Sequence, residues 1–173
     1  STLAPKVSDK KILPFLKRKK FQIGKNILFA VAPRRDWFIE GVKNLENLDR
    51  VYGSTDYYSA KVTKDVLSIV CKKLHTATSY RVSEMVKSVE NAYRHMDITL
   101  ANQLSLAFPK DNMREVLKLV GTKWNIETFH PGIGTGGYCI PLSSRYFLSQ
   151  VKNINKLSLL RETIKTDDGM SRA

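Results

Sequence analysis

The residues of this chain that are best suited to catalysis or ligand binding lie together in one glycine-rich segment, residues 129–142. The segment contains four glycines, a cysteine and two prolines: Gly132, Gly134, Gly136, Gly137, Cys139, Pro131 and Pro141. Glycine has the most backbone entropy to lose on folding and proline removes a backbone donor, so this composition disfavours helix and strand. Two interpretations are open: a tight surface turn around a small buried cysteine, or a backbone that passes close to a ligand beside an accessible thiol.

Three of these glycines, Gly132, Gly134 and Gly137, also have the G-x-G-x-x-G spacing of dinucleotide-binding loops. That fingerprint requires a strand before it and a helix that opens at the third glycine. Here Phe-His-Pro precedes the glycines, and Pro141 is expected to prevent a helix soon after them. The pattern therefore does not predict a dinucleotide site, although successive amides of such a loop can face an anion or a sugar hydroxyl.

A second candidate pair is Lys87 and Asn91, which are four residues apart in a predicted helix. Side chains at this spacing leave one face of the helix, and an ammonium beside a carboxamide suits an oxyanion or a sugar hydroxyl. Polar pairs of this kind are also common on solvated helix surfaces. Arg34 allows the same two interpretations, because it follows a predicted strand and could contact a phosphate or lie in an exposed turn.

The charge balance favours acidic partners. Lysine and arginine number 29 against 16 acidic residues, a formal net charge of +13. Such a charge suits nucleic acid, membrane surfaces or phosphorylated small molecules. Apart from the cluster at residues 17–20, the basic residues are spread along the chain. A spread distribution of this kind is typical of a solvated face. Because the sequence contains no zinc spacing, RNP signature or convincing helix-turn-helix, nucleic-acid binding is not expected.

The cysteines and histidines limit the compartment and the metal chemistry. Two cysteines, Cys71 and Cys139, cannot form a disulfide framework, which favours a reducing cytoplasm. The three histidines have no metal-like spacing with each other or with the cysteines, so no metal site is predicted. No apolar run is long enough to span a membrane.

Residues 1–80 are predicted to alternate helix and strand. The pattern predicts a helix over residues 7–20, strands over 27–31, 50–53 and 76–80, and a helix over 55–74. Ser54 or Thr55 is the predicted cap of the second helix. Alternation of this kind predicts a parallel sheet covered by helices. The fold class of the whole chain is therefore α/β followed by mainly α.

Residues 81–173 are predicted to be mainly helical. One long helix over residues 83–108 has an apolar stripe: Met85, Val89, Ala92, Met96, Leu100, Leu104 and Ala107. By default this stripe is expected to be buried within its own domain, and the alternative is packing on a second copy. Shorter helices are predicted over residues 111–121, 143–150 and 158–165.

Four stretches, in the same order, resemble the UDP-glucose/GDP-mannose dehydrogenase family. They are Ser1-Thr-Leu-Ala-Pro5, residues 45–54 ending in Arg-Val-Tyr-Gly-Ser, residues 83–103 with the pattern E-M-x-K-x-x-E-N, and Pro131 to Pro141, which resembles P-G-x-G-x-G-G-x-C-I-P. Residues 159–170 resemble the helix that leads out of the family's central domain. The resemblance covers nearly the whole chain, but only the middle of a family protein.

The resemblance implies a fold, a cofactor and a reaction. Residues 1–80 would be the end of a Rossmann-like NAD-binding domain, and residues 81–173 a helical central domain that forms a homodimer through helix 83–108. The implied reaction is NAD-dependent four-electron oxidation of a UDP-hexose or UDP-N-acetylhexosamine at C6. It gives the uronic acid through a cysteine thioester.

The same resemblance implies roles for individual residues. Cys139 would be the nucleophile, Lys87 would stabilise the thiolate and hold the oxyanion, and Asn91 would orient substrate or water. The remaining implied residues are Thr2 for water and cofactor, Glu40 as a catalytic carboxylate, Arg34 and the glycines 132, 134, 136 and 137 along the substrate, and Gly136 also at the cofactor.

The chain departs from the family pattern at three positions. Ser143 stands where the family usually has an aspartate, Arg34 replaces a glutamate, and Gln103 replaces the glutamate of an Asn-Glu pair. Either the chain belongs to a subfamily with different acid–base partners, or selection on its activity has relaxed. The family's glycine fingerprint and its C-terminal nucleotide domain lie outside this sequence, so the chain alone is expected to be inactive. The alternative function is a non-catalytic dimerisation module or a basic module that binds phosphates or nucleic acid.

Overall fold

The computed structural model describes residues 3–35 and 46–170. The chain forms two compact units, Ser1–Ser88 and Val89–Ala173, which divide within the longest helix. In order, the elements are a π-helical turn Ser8–Ile12, α1 (Leu13–Arg18), β1 (Ala30–Val31), β2 (Arg50–Ser54), α2 (Tyr57–Ser68), β3 (Leu74–Thr76), α3 (Tyr80–Ala107), α4 (Met113–Val120), α5 (Cys139–Ser149), a 3-10 turn Ile154–Leu157 and α6 (Ser158–Gly169). The predicted fold class, α/β followed by mainly α with one long helix, is confirmed.

The small sheet of the first unit is mixed. β2 pairs in parallel with β3, with Arg50 opposite Leu74, whereas β1 pairs antiparallel with β2, with Ala30 opposite Ser54. The predicted all-parallel pairing is therefore wrong for β1. A parallel pair needs a long crossover, usually a helix. The sequence pattern predicted such a helix only between β2 and β3, and this is the pair that is parallel.

Helix α2 is shorter than predicted at both ends. Asp56, rather than Ser54 or Thr55, caps it, since its carboxylate accepts hydrogen bonds from the backbone N–H of Ser59 at 2.8 Å and from the Ser59 hydroxyl at 2.6 Å. The Ser59 hydrogen bonds hold the pKa of Asp56 below its ordinary value. At the other end Leu74 belongs to β3, so the predicted strand over residues 76–80 also begins and ends too late.

Gly53 in β2 lies directly against the backbone that leads into α3. A Cβ atom at this position would lie 2.2 Å from the carbonyl oxygen of Ser79 and 2.6 Å from its carbonyl carbon. Only glycine allows this approach, because the neighbouring atoms are backbone rather than a flexible side chain. The strand and the backbone that leads into the long helix can therefore pack this closely only because residue 53 has no side chain.

Most of the residues that helix α3 buries are polar, whereas Ala92 is the one buried member of its apolar stripe. The polar side chains that it buries are Ser83, Glu84, Ser88, Asn91, His95, Thr99 and Asn102. In contrast, Met85 is 41% exposed and Leu100 is 55% exposed. The default expectation that the apolar stripe is buried within its own domain is wrong for these two residues and for Ala107, which is exposed as well. Buried polar groups are costly unless hydrogen-bonded, and most residues of this face are held by specific partners.

In the first unit the main such partner is Glu84, which is 2% exposed. Its Oε1 accepts from the backbone N–H and the hydroxyl of Ser8, both at 2.8 Å. Its Oε2 accepts from the backbone N–H of Lys6 at 2.9 Å. Lys6 has a φ of 70°, an uncommon conformation for a residue other than glycine. A buried carboxylate from α3 therefore holds the N–H groups where the first helical segment begins.

Replacing Glu84 with glutamine should lower the free energy of unfolding by about 2 kcal/mol. The new amide group places a donor against a backbone donor, so one buried N–H loses its acceptor. Urea denaturation of wild type and variant measures the difference. Glu162→Gln is the matched control because Glu162 is exposed. An equal loss in the two variants would contradict the anchoring role of Glu84.

In the second unit, two apolar clusters pack the other helices on α3. The first cluster consists of Ala92, Leu160 and Ile164 with the partly buried Phe147, Leu148 and Leu157. The second consists of Ala101, Met113 and Leu117 with the partly buried Leu104 and Phe129. These contacts place α5 and α6 beside the first half of the unit's α3 segment and α4 beside its end. Within the part of the chain that the structure describes, no helix is both long and apolar enough to cross a membrane.

Candidate active site

The glycine segment forms an irregular loop between α4 and α5. Gly134, Gly136 and Gly137 have φ values of 125°, 62° and 66°, a region that other residues rarely adopt. Around Gly132, Gly136 and Gly137 no atom outside the adjacent residues lies within 4 Å of the position that a Cβ would occupy. The loop therefore presents backbone to open space, which leaves room for a ligand to approach closely.

Cys139 is the first residue of α5, and its side chain is exposed. The expectation that Pro141 prevents a helix is wrong. Pro141 lies in the first turn, where its missing N–H has no intrahelical acceptor and its fixed φ suits the helix. Of the two interpretations of the segment, the accessible thiol is the one that the structure contains. The buried cysteine is Cys71, which is 3% exposed.

The G-x-G-x-x-G spacing still lacks its strand. A helix does open shortly after Gly137, so this part of the reason for rejecting the pattern does not hold. However, the structure assigns no strand to the described residues 121–138, which precede α5. The element that the dinucleotide fingerprint needs before its glycines is therefore missing at this place.

Asn91 connects α3 to the first turns of α5. Its Nδ2 donates to the hydroxyl of Ser143 at 2.8 Å and to the carbonyl oxygen of Cys139 at 3.4 Å. Asn91 is 2% exposed and Ser143 is 3% exposed. Lys87 lies one helical turn before Asn91 and is partly buried. Because α3 is continuous through both residues, their side chains leave the same face of the helix.

A third polar residue of α3 was not predicted as a site residue. His95 is fully buried, and its Nδ1 lies 2.9 Å from the hydroxyl oxygen of Ser144. Its Nε2 lies 3.0 Å from Oδ2 of Asp167 in α6. The other carboxylate oxygen of Asp167 accepts from the backbone N–H of Thr135 at 2.6 Å. The signal in the sequence was the spacing from Asn91, which places His95 one turn further along the same face.

Asn102 holds the beginning of the glycine loop. Its Oδ1 accepts from the backbone N–H of Gly132 at 2.7 Å. Among the residues that the structure describes, the Nδ2 of Asn102 and the hydroxyl of Thr99 have no hydrogen-bond partner. Polar atoms in such positions are commonly bonded to ordered water.

Three further predicted site residues are Thr2, Glu40 and Arg34. Thr2 and Glu40 lie outside the described residues. Arg34 follows β1 by three residues and is exposed, and the neighbouring Arg35 donates to the carbonyl oxygen of Asp49 at 2.8 Å. Over residues 3–35 and 46–170, no three histidine, cysteine, aspartate or glutamate side chains are placed to hold a metal ion.

Comparison with known proteins gives several related matches. The family model for the UDP-glucose/GDP-mannose dehydrogenase central domain matches residues 81–168, just over half of the chain. The chain is 30% identical over 158 residues to Protein CapL of Staphylococcus aureus, covering 89% of this chain and 37% of that protein. It is 31% identical over 147 residues to UDP-N-acetyl-D-mannosamine dehydrogenase of Methanocaldococcus jannaschii, covering 83% of this chain and 34% of that one.

The fold is similar to that of a solved structure as well. The UDP-D-ManNAc dehydrogenase from Pyrococcus horikoshii matches with a TM-score of 0.85 and 25% identity, over 98% of this chain and 41% of that one. The chain thus spans little more than a third of the length of the curated relatives. On the match of residues 81–168, the chain belongs to the UDP-glucose/GDP-mannose dehydrogenase family.

Proposed function

We propose that this chain carries the catalytic cysteine of a UDP-sugar 6-dehydrogenase that oxidises a UDP-N-acetylhexosamine to its uronic acid. The observation that carries the proposal is the exposed Cys139 thiol at the start of α5, beside an open glycine loop. Asn91 donates a hydrogen bond to the backbone carbonyl of this cysteine. The names of relatives, such as UDP-N-acetyl-D-mannosamine dehydrogenase, support an N-acetylhexosamine rather than a plain hexose.

The proposed reaction proceeds in two oxidations at one carbon. Hydride leaves C6 of the primary alcohol, the hydroxyl proton passes to a base, and an aldehyde forms. The Cys139 thiolate adds to this aldehyde and gives a thiohemiacetal, which loses a second hydride to become a thioester. Water then releases the carboxylate and restores the thiol. NAD, when bound, accepts each hydride, so two NADH form per sugar.

The residues of the chain fit these steps. Cys139 is exposed as a nucleophile must be, and Asn91 holds the turn of α5 that carries it. Lys87, one turn before Asn91, supplies a positive charge that favours thiolate and oxyanion. The open space around Gly132, Gly136 and Gly137 accommodates the sugar, and at Gly136 also the cofactor. Thr2 and Arg34 complete the assigned contacts, Thr2 to water and NAD and Arg34 to the substrate.

The acid–base step needs a group other than Ser143. A serine hydroxyl does not ionise near neutral pH, and this one is already bonded to Asn91. Ser143 thus keeps the place of the family's aspartate as a hydrogen-bond partner but not as a base. We assign the proton transfer to Glu40, the remaining carboxylate that the family resemblance places at the site.

We assign residues 1–80 to the end of an NAD-binding domain and residues 81–173 to the central domain of the enzyme. An accessible thiol that acts as a nucleophile needs a reducing compartment, so we place the enzyme in the cytoplasm.

The experiment that tests this function uses the complete reading frame of the gene. The purified protein is mixed with NAD and a panel of UDP-sugars, and NADH is followed by its absorbance. Two NADH per UDP-N-acetylhexosamine, with a uronate product identified by mass spectrometry, is the expected result. A folded protein that releases no NADH but binds arbitrary DNA with a steep salt dependence would instead support a basic binding module.

We further propose a homodimer that forms through the outward face of α3. This face exposes Met85 and Leu100, and next to Leu100 lies an apolar groove between the end of α3 and the end of α6. The groove is lined by Leu100, Gln103, Leu104, Leu106, Ala107, Thr166, Gly169 and Met170. Exposed apolar surface of this kind is typical of a protein–protein contact.

Replacing Leu100 with lysine should weaken self-association by at least about tenfold, because it places a charge in the core of the proposed contact. Sedimentation over a range of protein concentrations measures the dissociation constant. Val66→Lys on α2 is the matched control, since Val66 is 58% exposed and Leu100 is 55% exposed. Equal dissociation constants for both variants would exclude this face as the dimer contact.

A further inference from the structure

The short segment that carries Cys139 is attached to the rest of its unit on both sides. Cys139 lies four residues after Thr135 and five residues before Ser144. The backbone N–H of Thr135 donates to Asp167 at 2.6 Å, and the hydroxyl of Ser144 lies 2.9 Å from Nδ1 of His95. Nε2 of His95 and Oδ2 of Asp167 lie 3.0 Å apart, so these two bonded residues together hold both ends of the segment.

This pair is well shielded from water. His95 has a side chain that is 1% exposed, and that of Asp167 is 8% exposed. Hydrogen bonds to a carboxylate are stronger than those between neutral groups, and burial reduces their competition with water. Ser144 is fully buried as well, so its hydroxyl depends on a protein partner.

The glycine loop needs such an attachment. Gly134, Gly136 and Gly137 have positive φ values, and glycine has the largest conformational freedom in a flexible loop. A Cβ at Gly134 would lie 3.4 Å from Oδ1 of Asp167 and 3.6 Å from the Cβ of Met170, so the loop backbone packs closely on the end of α6. Asp167 therefore attaches the glycine loop, whose composition favours flexibility, to α6.

We propose that His95 and Asp167 are positioning residues that hold the segment of Cys139 in its reactive geometry. This inference rests on the proposed function, since it is the thiol's attack on the aldehyde that needs a fixed geometry. Neither residue touches the reacting atoms. They act through Thr135 on one side of the cysteine and through Ser144 on the other.

The test compares Asp167→Ala with Asp167→Asn in the complete protein. Alanine removes the acceptor of the Thr135 N–H, whereas asparagine keeps an acceptor oxygen in the same position. Hydrogen exchange of the peptide that covers residues 130–138 should speed up by about tenfold in Asp167→Ala, as expected for the loss of one buried hydrogen bond. The exchange rate should return most of the way to wild type in Asp167→Asn.

Steady-state kinetics supply the second measurement. Asp167→Ala should lower kcat by about tenfold and leave KM for the UDP-sugar within about twofold, because the contacts to the sugar remain. Asp167→Asn should recover most of kcat. Asp168→Ala is the matched control: Asp168 is the neighbouring residue of α6, half exposed, and pairs with Arg145 at the surface. It should change neither exchange nor kcat.

Ser144→Ala is the second variant and creates almost no cavity. It removes only the hydrogen bond between His95 and α5, so we expect a smaller rise in the exchange rate and a smaller loss of kcat. This variant keeps the proposal testable even if Asp167→Ala fails to fold. Unchanged exchange over residues 130–138 in every folded variant would overturn the proposal, and so would faster exchange with unchanged kcat. If wild type releases no NADH, the proposed function fails, and the exchange rates alone then decide whether the pair holds the segment.

Discussion

Replacing Cys139 with serine in the complete enzyme is expected to abolish uronate formation, with kcat lower by about a thousandfold or more. A serine hydroxyl ionises far less readily than a thiol, so it remains a poor nucleophile at this position. The first hydride can still leave C6, because that step needs no thiol. The variant should therefore release at most about one NADH per active site and accumulate no acyl-enzyme.

Rapid-mixing absorbance measures the NADH released in the first turnover, and mass spectrometry of quenched wild-type enzyme measures the covalent adduct on the peptide of Cys139. Cys71→Ala is the control, since Cys71 is buried in the first unit and has no assigned role. Sustained formation of two NADH per sugar by the serine variant would exclude the thioester route.

Replacing Gly53 with alanine is expected to prevent stable folding of the first unit. The new methyl group would lie 2.2 Å from the carbonyl oxygen of Ser79, well inside van der Waals contact. Neither backbone can move without breaking the pairing of β2 or shifting the start of α3. Overpacking of this severity costs about 3 kcal/mol or more, a large part of the stability of an ordinary domain.

Chemical denaturation and the yield of soluble protein measure this effect. Gly132→Ala is the matched control, because no atom outside the adjacent residues lies within 4 Å of its Cβ position and its φ is not positive. We expect its stability to remain within about 0.5 kcal/mol of wild type. If Gly53→Ala were as stable as Gly132→Ala, the approach of Ser79 to β2 would not be a constraint on the fold.

The sequence alone predicted the elements that depend on local patterns. The long helix, given as residues 83–108, is Tyr80–Ala107 in the structure, and the helices predicted near residues 111–121 and 158–165 are also present. The glycine segment was recognised because its composition disfavours regular structure, and the structure adds that its cysteine is exposed and begins α5. In each case the deciding information lies within a few residues.

The features that were missed depend on contacts between distant residues or on fine local geometry. The pair of His95 and Asp167 spans 72 positions, and no periodicity connects them. Pro141 was given its usual meaning as a helix breaker, although in the first turn of a helix proline is tolerated. Asp56 was missed as a cap because Ser54 and Thr55 beside it have the same preference.

The polar inner face of α3 has a consequence for how this protein accepts mutations over evolutionary time. Along most helices, the positions least tolerant of substitution are apolar. Along α3 several intolerant positions are expected to be polar instead, because Glu84, Asn91 and His95 each have fixed partners, whereas Leu100 is half exposed. A search for the core of this helix by its hydrophobic residues alone will therefore overlook Glu84, Asn91 and His95, positions where we expect substitutions to be poorly tolerated.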